Sequence, residues 1–177
     1  VVPLARHPSN PVLAQAHAWE GKGAYAGSVV RDPRDGLFKM WYCVFDEHNY
    51  RHRLPFSYNV AYAQSRDGVT WERPSLGLFE YKGSRENNLI RLGREKTQQI
   101  DVERRPAELG DGPAFVAIHN EKGGVFVSTS DDGKSFRFLQ EESAVRYHSD
   151  THNNFVYDEV RRRWLMFVRP KAFAGAG

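Results

Sequence analysis

Short segments in which apolar and polar positions alternate, or in which most positions are apolar, recur along the whole chain, and Gly, Asp, Asn and Pro separate them. An alternating period of two is the mark of a strand with one face buried, and an unbroken apolar run of this length suits a strand buried on both faces. Residues 27–31, 37–45, 58–65 and 71–73 read as a first group of strands. Residues 89–92, 99–102, 115–119, 125–130 and 136–139 read as a second group, and 153–157 with 164–169 as a third. No stretch carries a convincing helical period, so the pattern predicts an all-β protein. Residues 46–57 stand out, because twelve residues, most of them polar or aromatic and among them His48, Tyr50, Arg51, His52 and Phe56, sit where two to five would join adjacent strands. Insertions of that kind at strand ends shape binding faces.

The pattern repeats. Tyr-Ala-Gln-Ser-Arg-Asp-Gly-Val-Thr-Trp over residues 62–71 is echoed at 128–136: a strand ends in Ser65 or Ser130, Asp67-Gly68 or Asp132-Gly133 makes the reversal, and Trp71 or Phe136 follows. Asp-Gly favours a tight hairpin turn with positive φ at its central residues. A second pair agrees, since Asp32, Phe38 and Met40 align without gaps on Asp158, Trp164 and Met166. Ser65 and Ser130 are 65 residues apart, and Asp32 and Asp158 are 126 apart, close to twice that. A sheet unit of roughly that length used repeatedly is the period of a propeller blade. The expected fold is therefore a β-propeller of four-stranded antiparallel blades. One domain over 1–177 would hold about three of them, at about 19–75, 88–142 and 147–177. Closed propellers have at least four blades, so further blades or another chain would be needed to close the ring.

Composition narrows the function. With 40% hydrophobic and 13% aromatic residues in 177, the chain can build a core. No apolar run approaches the roughly 18 residues that cross a bilayer, and no charged-then-apolar leader begins the sequence. The net charge of +3 is mild and its basic residues are interleaved with acidic ones, which argues against a nucleic-acid partner. The one cysteine, Cys43, lies within an apolar strand and reads as core.

Given these motifs, the chain resembles the five-bladed β-propeller glycosidases, the superfamily of invertases, levansucrases and arabinanases that includes glycoside hydrolase families 32 and 43. The resemblance rests on Asn10-Pro-Val-Leu, on Gly27-Ser-Val-Val-Arg-Asp-Pro with Met40-Trp-Tyr, and on Ser65-Arg-Asp-Gly-Val-Thr-Trp-Glu-Arg-Pro-Ser-Leu-Gly. It also rests on Asn87-Asn-Leu-Ile and Asp150-Thr-His-Asn. It implies a carbohydrate substrate, an extracytoplasmic location, no cofactor, and carboxylates at the inner ends of successive blades. One would protonate the leaving oxygen while another attacks the sugar carbon or activates water.

Three candidate catalytic carboxylates follow from the resemblance. Asp150 stands just before an inner strand, with a strand-entry cap as its plain reading. Glu20 is the nearest carboxylate to the first blade's entry, where Gly23-Ala24-Tyr25 replaces the family's Asn-Asp-Pro signature. Asp32, in Arg31-Asp32-Pro33, resembles the stabiliser motif, although its repeat partner Asp158 marks a hairpin turn. Asp101, near the start of the second blade, is also considered, and the general-acid glutamate has no visible candidate. Trp19 and Tyr25 are expected to stack on sugar rings, and His148, His152 and Arg169 to bind substrate. His148, Asp150 and His152 alternate as metal ligands on a strand can, but paired histidines beside a sugar are as natural, and no metal is expected. A glycoside hydrolase and a non-catalytic carbohydrate-binding propeller both fit.

Overall fold

The computed structural model describes residues 5–92, 97–149 and 152–169. It holds three antiparallel sheets. In the first, β1 (Tyr25–Arg31), β2 (Phe38–Phe45), β3 (Tyr58–Ser65) and β4 (Leu89–Ile90) lie side by side in chain order. The second repeats this order with β5 (Gln98–Arg104), β6 (Phe115–Glu121), β7 (Gly124–Ser130) and β8 (Arg137–Phe138). The third pairs β9 (Asn154–Asp158) with β10 (Arg163–Phe167). The only α-helix among the described residues, α1 (Glu47–Arg51), lies in the long insertion.

The first strands of the three sheets come together, with β5 packed against both β1 and β9. The sheets therefore radiate from their first strands, as propeller blades do, and among the described residues they form an open arc. Asp101 on β5 joins all three: its carboxylate accepts from Ser28 Oγ of β1 at 2.6 Å and from the backbone N–H of Phe155 on β9 at 3.0 Å.

Alternation along each strand sends side chains into a core on either side. Trp41, Tyr62, Ile100, Val102 and Phe115 fill the space between the first two sheets, and Val116, Ile118, Val125 and Phe155 that between the second and third. On its other face the first sheet buries Tyr42, Val44, Ala61 and Leu89 beneath Leu13, Trp19 and Phe79. Residues 11–20 and the crossover after Pro74 thus cover the outward face of the first sheet.

Two expectations change in detail. Leu89–Ile90 closes the first sheet instead of opening the second, pairing with Ala61 and Val60. Asn88 directs this, because its backbone carbonyl accepts from Tyr62 N at 2.9 Å while its side-chain amide donates to Tyr62 O at 2.7 Å. The 71–73 segment makes only an isolated bridge, Gln64 with Glu72, and Pro74 then removes the next ladder donor.

The Asp-Gly turns also differ from two-residue hairpins. Only Gly68 (φ 74°) and Gly133 (φ 75°) take positive φ there, and side chains close the loops. Ser65 Oγ accepts from Gly68 N at 2.9 Å and Asp67 Oδ1 from Thr70 N at 2.7 Å. Ser130 and Asp132 make the corresponding bonds to Gly133 N and Ser135 N, both at 2.9 Å.

One buried group gives the fold a pH dependence. His119 on β6 is fully buried, with Nε2 2.9 Å from Ser128 Oγ and Nδ1 3.4 Å from a Glu121 carboxylate oxygen. The carboxylate favours imidazolium, but Nδ1 makes no hydrogen bond to it, and complete burial prevails, pushing the pKa down to about 3. The unfolded chain binds this proton near pH 6.5, which the folded protein does not do until far lower pH. Stability is therefore expected to fall as pH drops below about 6.5. Urea midpoints measured between pH 7 and 5 should decline in the wild type and flatten in His119→Gln.

Candidate functional site

In a propeller the first strands line a central channel, so the side chains at their entries define one mouth of it. Tyr25 opens β1 opposite Cys43 of β2 and is 38% exposed. Burial of the phenol, then the neighbouring Cys43 and Tyr58, raise its pKa, so it stays a hydrogen-bond donor. The Cys43 thiol is pushed up to about 11 by burial, against opposing contacts with the backbone N–H groups of Ile100 and Gln99. This contact brings the entry of β5 beside that of β1. Cys43 is a core thiol, as its sequence context suggests.

Gln99 at the β5 entry has a φ of +54°, a left-handed conformation that costs a non-glycine residue about 1 kcal/mol or more. It lies in a bulge between Gln98 and Asp101. Its Oε1 accepts from Asn120 Nδ2 at 2.9 Å. Asn120 Nδ2 also donates to the Ser149 carbonyl, Asn153 Nδ2 donates to Asn120 Oδ1 at 3.1 Å, and Ser149 Oγ donates to Asn153 Oδ1 at 2.8 Å. Asn120, Ser149 and Asn153 are all fully buried. An amide network thus spans the entries of the second and third sheets. Satisfied networks of this kind rigidify what they support.

The expected site residues divide between this mouth and other parts of the molecule. Tyr25 lies at the mouth and the half-buried His152 just before β9, while His148 is exposed. Arg169 follows β10, where its carbonyl accepts from Tyr147 Oη at 2.7 Å. Asp150 lies outside the described residues. Among those described, no three His, Cys, Asp or Glu side chains are gathered to hold a metal ion.

Glu20 is fully buried against the outward face of the first sheet. It accepts from Ala16 N at 2.7 Å, His17 N at 3.1 Å, Tyr42 Oη at 2.7 Å and Arg73 Nε at 2.7 Å. Burial would raise its pKa, but these donors outweigh it and hold the carboxyl below its ordinary value. Trp19 stacks on His17 and donates Nε1 to Asn88 Oδ1 at 2.7 Å, within the same cluster.

Asp32 sits past the far end of β1, also with no exposed surface. It accepts from Arg34 at 2.7 Å, Lys39 at 2.7 Å and Arg104 at 2.5 Å, and all three cations lie over the ring of Phe115. Burial again opposes ionisation, and the Arg34 and Lys39 hydrogen bonds overcome it, leaving the carboxyl well below the usual range. Both acids thus have the surroundings of structural ion pairs.

Sequence reasoning did not single out Gln99, Asn120, Ser149 or Glu103. Glu103 has a raised pKa from burial and then from the charge of Asp101. Perturbed carboxyls mark functional sites, yet Glu103 is four residues beyond Gln99 along β5, roughly 13 Å from the entry at about 3.3 Å per residue. The mouth itself offers a phenol, neutral amides and an imidazole, groups that donate to and accept from hydroxyls.

No family model and no curated protein sequence matches the chain. Solved structures do. A fructofuranosidase from Schwanniomyces occidentalis complexed with fructosylnystose superposes with a TM-score of 0.58 at 12% identity, covering 95% of this chain and 34% of that one. The fold is that of a β-propeller. Fructan 1-exohydrolase IIa from Cichorium intybus, in complex with 1-kestose, matches with a TM-score of 0.55 at 16% identity over 92% of this chain and 31% of its own. An N-acetylgalactosamine deacetylase from F. plautii, with blood group B trisaccharide, gives 0.54 at 18% identity over 84% and 37%. The chain spans about a third of the length of these enzymes. At these identities the likeness is one of fold.

Proposed function

We propose that the protein is a glycoside hydrolase-like propeller that binds an oligosaccharide at the entries of its first strands. The observation that carries this reading is the match over 92–95% of the chain to a fructofuranosidase and a fructan exohydrolase, together with the convergence of β1, β5 and β9. Tyr25, Gln99 and His152 would meet the sugar hydroxyls. Asp150, four residues ahead of Asn154 in the sequence, is the proposed carboxylate that attacks the anomeric carbon or activates water. Hydrolysis also needs an acid on the other side of the bond. A further part of the propeller would supply it.

Release of reducing sugar from 1-kestose and fructosylnystose tests this, with Asp150→Asn as the control. Wild-type turnover with a loss of about 100-fold or more in the variant is the expected result, on the scale of removing an acid–base or nucleophilic group. Unchanged activity in Asp150→Asn would overturn the assignment. A second reading, a carbohydrate-binding propeller without turnover, is favoured by Glu20 and Asp32 both being enclosed in ion pairs. It predicts saccharide binding with no product from any substrate.

A further inference from the structure

The insertion between β2 and β3 stands on the same rim as the entry of β1, since Tyr25 pairs with Cys43 only two residues before β2 ends. It is held firmly. Asp46 caps α1 through Asn49 N at 3.0 Å and binds Tyr81 Oη at 2.5 Å and Lys82 Nζ at 3.0 Å. Glu47 pairs with Lys22 at 2.9 Å and Arg51 at 2.6 Å. Arg53 (φ 55°) and Phe56 (φ 58°) both adopt left-handed conformations to return the chain to β3, a strain kept only where surroundings enforce it.

This braced segment presents an aromatic ring to solvent. Tyr50 is 52% exposed, with its ring centroid 5.2 Å from Phe45 and 6.1 Å from Tyr58, which themselves lie 4.9 Å apart. Tyr58 in turn is near enough to Tyr25 at the mouth for its charge to raise the Tyr25 pKa. A line of phenols therefore leads from the entry of β1 outward to α1. Two half-exposed tyrosines offer about 200 Å² of ring surface. A protein partner needs about 800 Å² on each side, whereas one or two sugar rings need no more than this. Tyrosine also suits a ligand with one apolar face and a hydroxylated edge, and the Lys22, Glu47 and Arg51 charges border the patch.

We propose that Tyr50, backed by Phe45 and Tyr58, is a stacking platform for a sugar unit lying outside the mouth, so that longer oligosaccharides gain affinity there. The inference rests on the carbohydrate reading above. Isothermal titration with 1-kestose and with the longer fructosylnystose, using wild type, Tyr50→Ala and Tyr50→Trp, tests it. Tyr50→Ala should weaken fructosylnystose by about 3- to 10-fold, the range for one lost aromatic contact, leave 1-kestose within about two-fold, and be rescued by Tyr50→Trp. Equal effects on both saccharides, or none on either, would overturn the platform while leaving the carbohydrate reading intact. Failure of the wild type to bind either saccharide would overturn both.

Discussion

Trp41→Ala should lower the stability of the protein by about 3–5 kcal/mol, more than any other truncation of a single core side chain. For a chain of this size that corresponds to a fall of roughly 10 °C in Tm. Trp41 has no exposed surface and meets Tyr62, Phe115 and Phe136 edge to face, with ring centroids 5.9, 5.4 and 6.5 Å away. Its Nε1 donates to Gly133 O at 2.6 Å. The indole thus joins the middle strand of the first sheet to the Asp-Gly loop of the second. Truncation leaves a large cavity and an unpaired carbonyl at one place. The fit is close on the other side as well, since a Cβ on Gly133 would lie 2.7 Å from Cζ2 of Trp41. Urea unfolding of Trp41→Ala and Trp41→Phe measures this: phenylalanine should recover about half of the loss, and a loss under about 1 kcal/mol in the alanine variant would mean that the sheets do not pack through this ring.

Asp32→Asn should cost about 3 kcal/mol, because removing one member of a buried ion-pair group leaves the other charges uncompensated. The figure belongs at the lower end of the range for buried pairs. Arg34 and Arg104 are 46% and 27% exposed and can turn toward water, but the Lys39 side chain is only 7% exposed. The double variant Asp32→Asn/Lys39→Met should therefore regain part of the loss. Because the folded carboxyl titrates below its ordinary value of 3.8, its contribution is complete above about pH 4–5 and disappears as pH falls through the folded pKa. Denaturation curves at pH 7 and pH 3 for the single and double variants check both effects. A neutral Asp32→Asn at pH 7 would remove the ion-pair account.

Much of the fold was legible because its signals are local. The Ser-x-Asp-Gly loops at residues 65–70 and 130–135 carry the groups that close them, so their repetition reported the repetition of sheets. Asp32 and Asp158 likewise occupy matching turns, accepting from Arg34 N at 3.1 Å and Arg161 N at 3.0 Å. What surrounds Asp32 was not legible, since Arg104 arrives from a strand 72 residues away. The same limit hid the place of Leu89–Ile90, which depends on Asn88 reaching back to Tyr62.

The mouth was read only in part. Tyr25, at the start of β1, and His152, two residues before β9, could be placed by strand position. Gln99 and Asn120 could not, because neither a left-handed glutamine nor a pair of buried amides leaves a pattern in the sequence. Glu20 seemed close to the first strand's entry by residue number. Its side chain instead turns to Tyr42 and Arg73, on the outward face of the first sheet.

On the proposed function, saccharide binds where the first strands of the sheets meet. A crystal structure of the protein soaked with fructosylnystose tests that directly. It should show a sugar ring within hydrogen-bonding distance of Tyr25 and Gln99, with the chain running toward Tyr50. Saccharide bound instead at the opposite rim, in the cavity of about 420 Å³ beside Trp71 and Arg66, would contradict it.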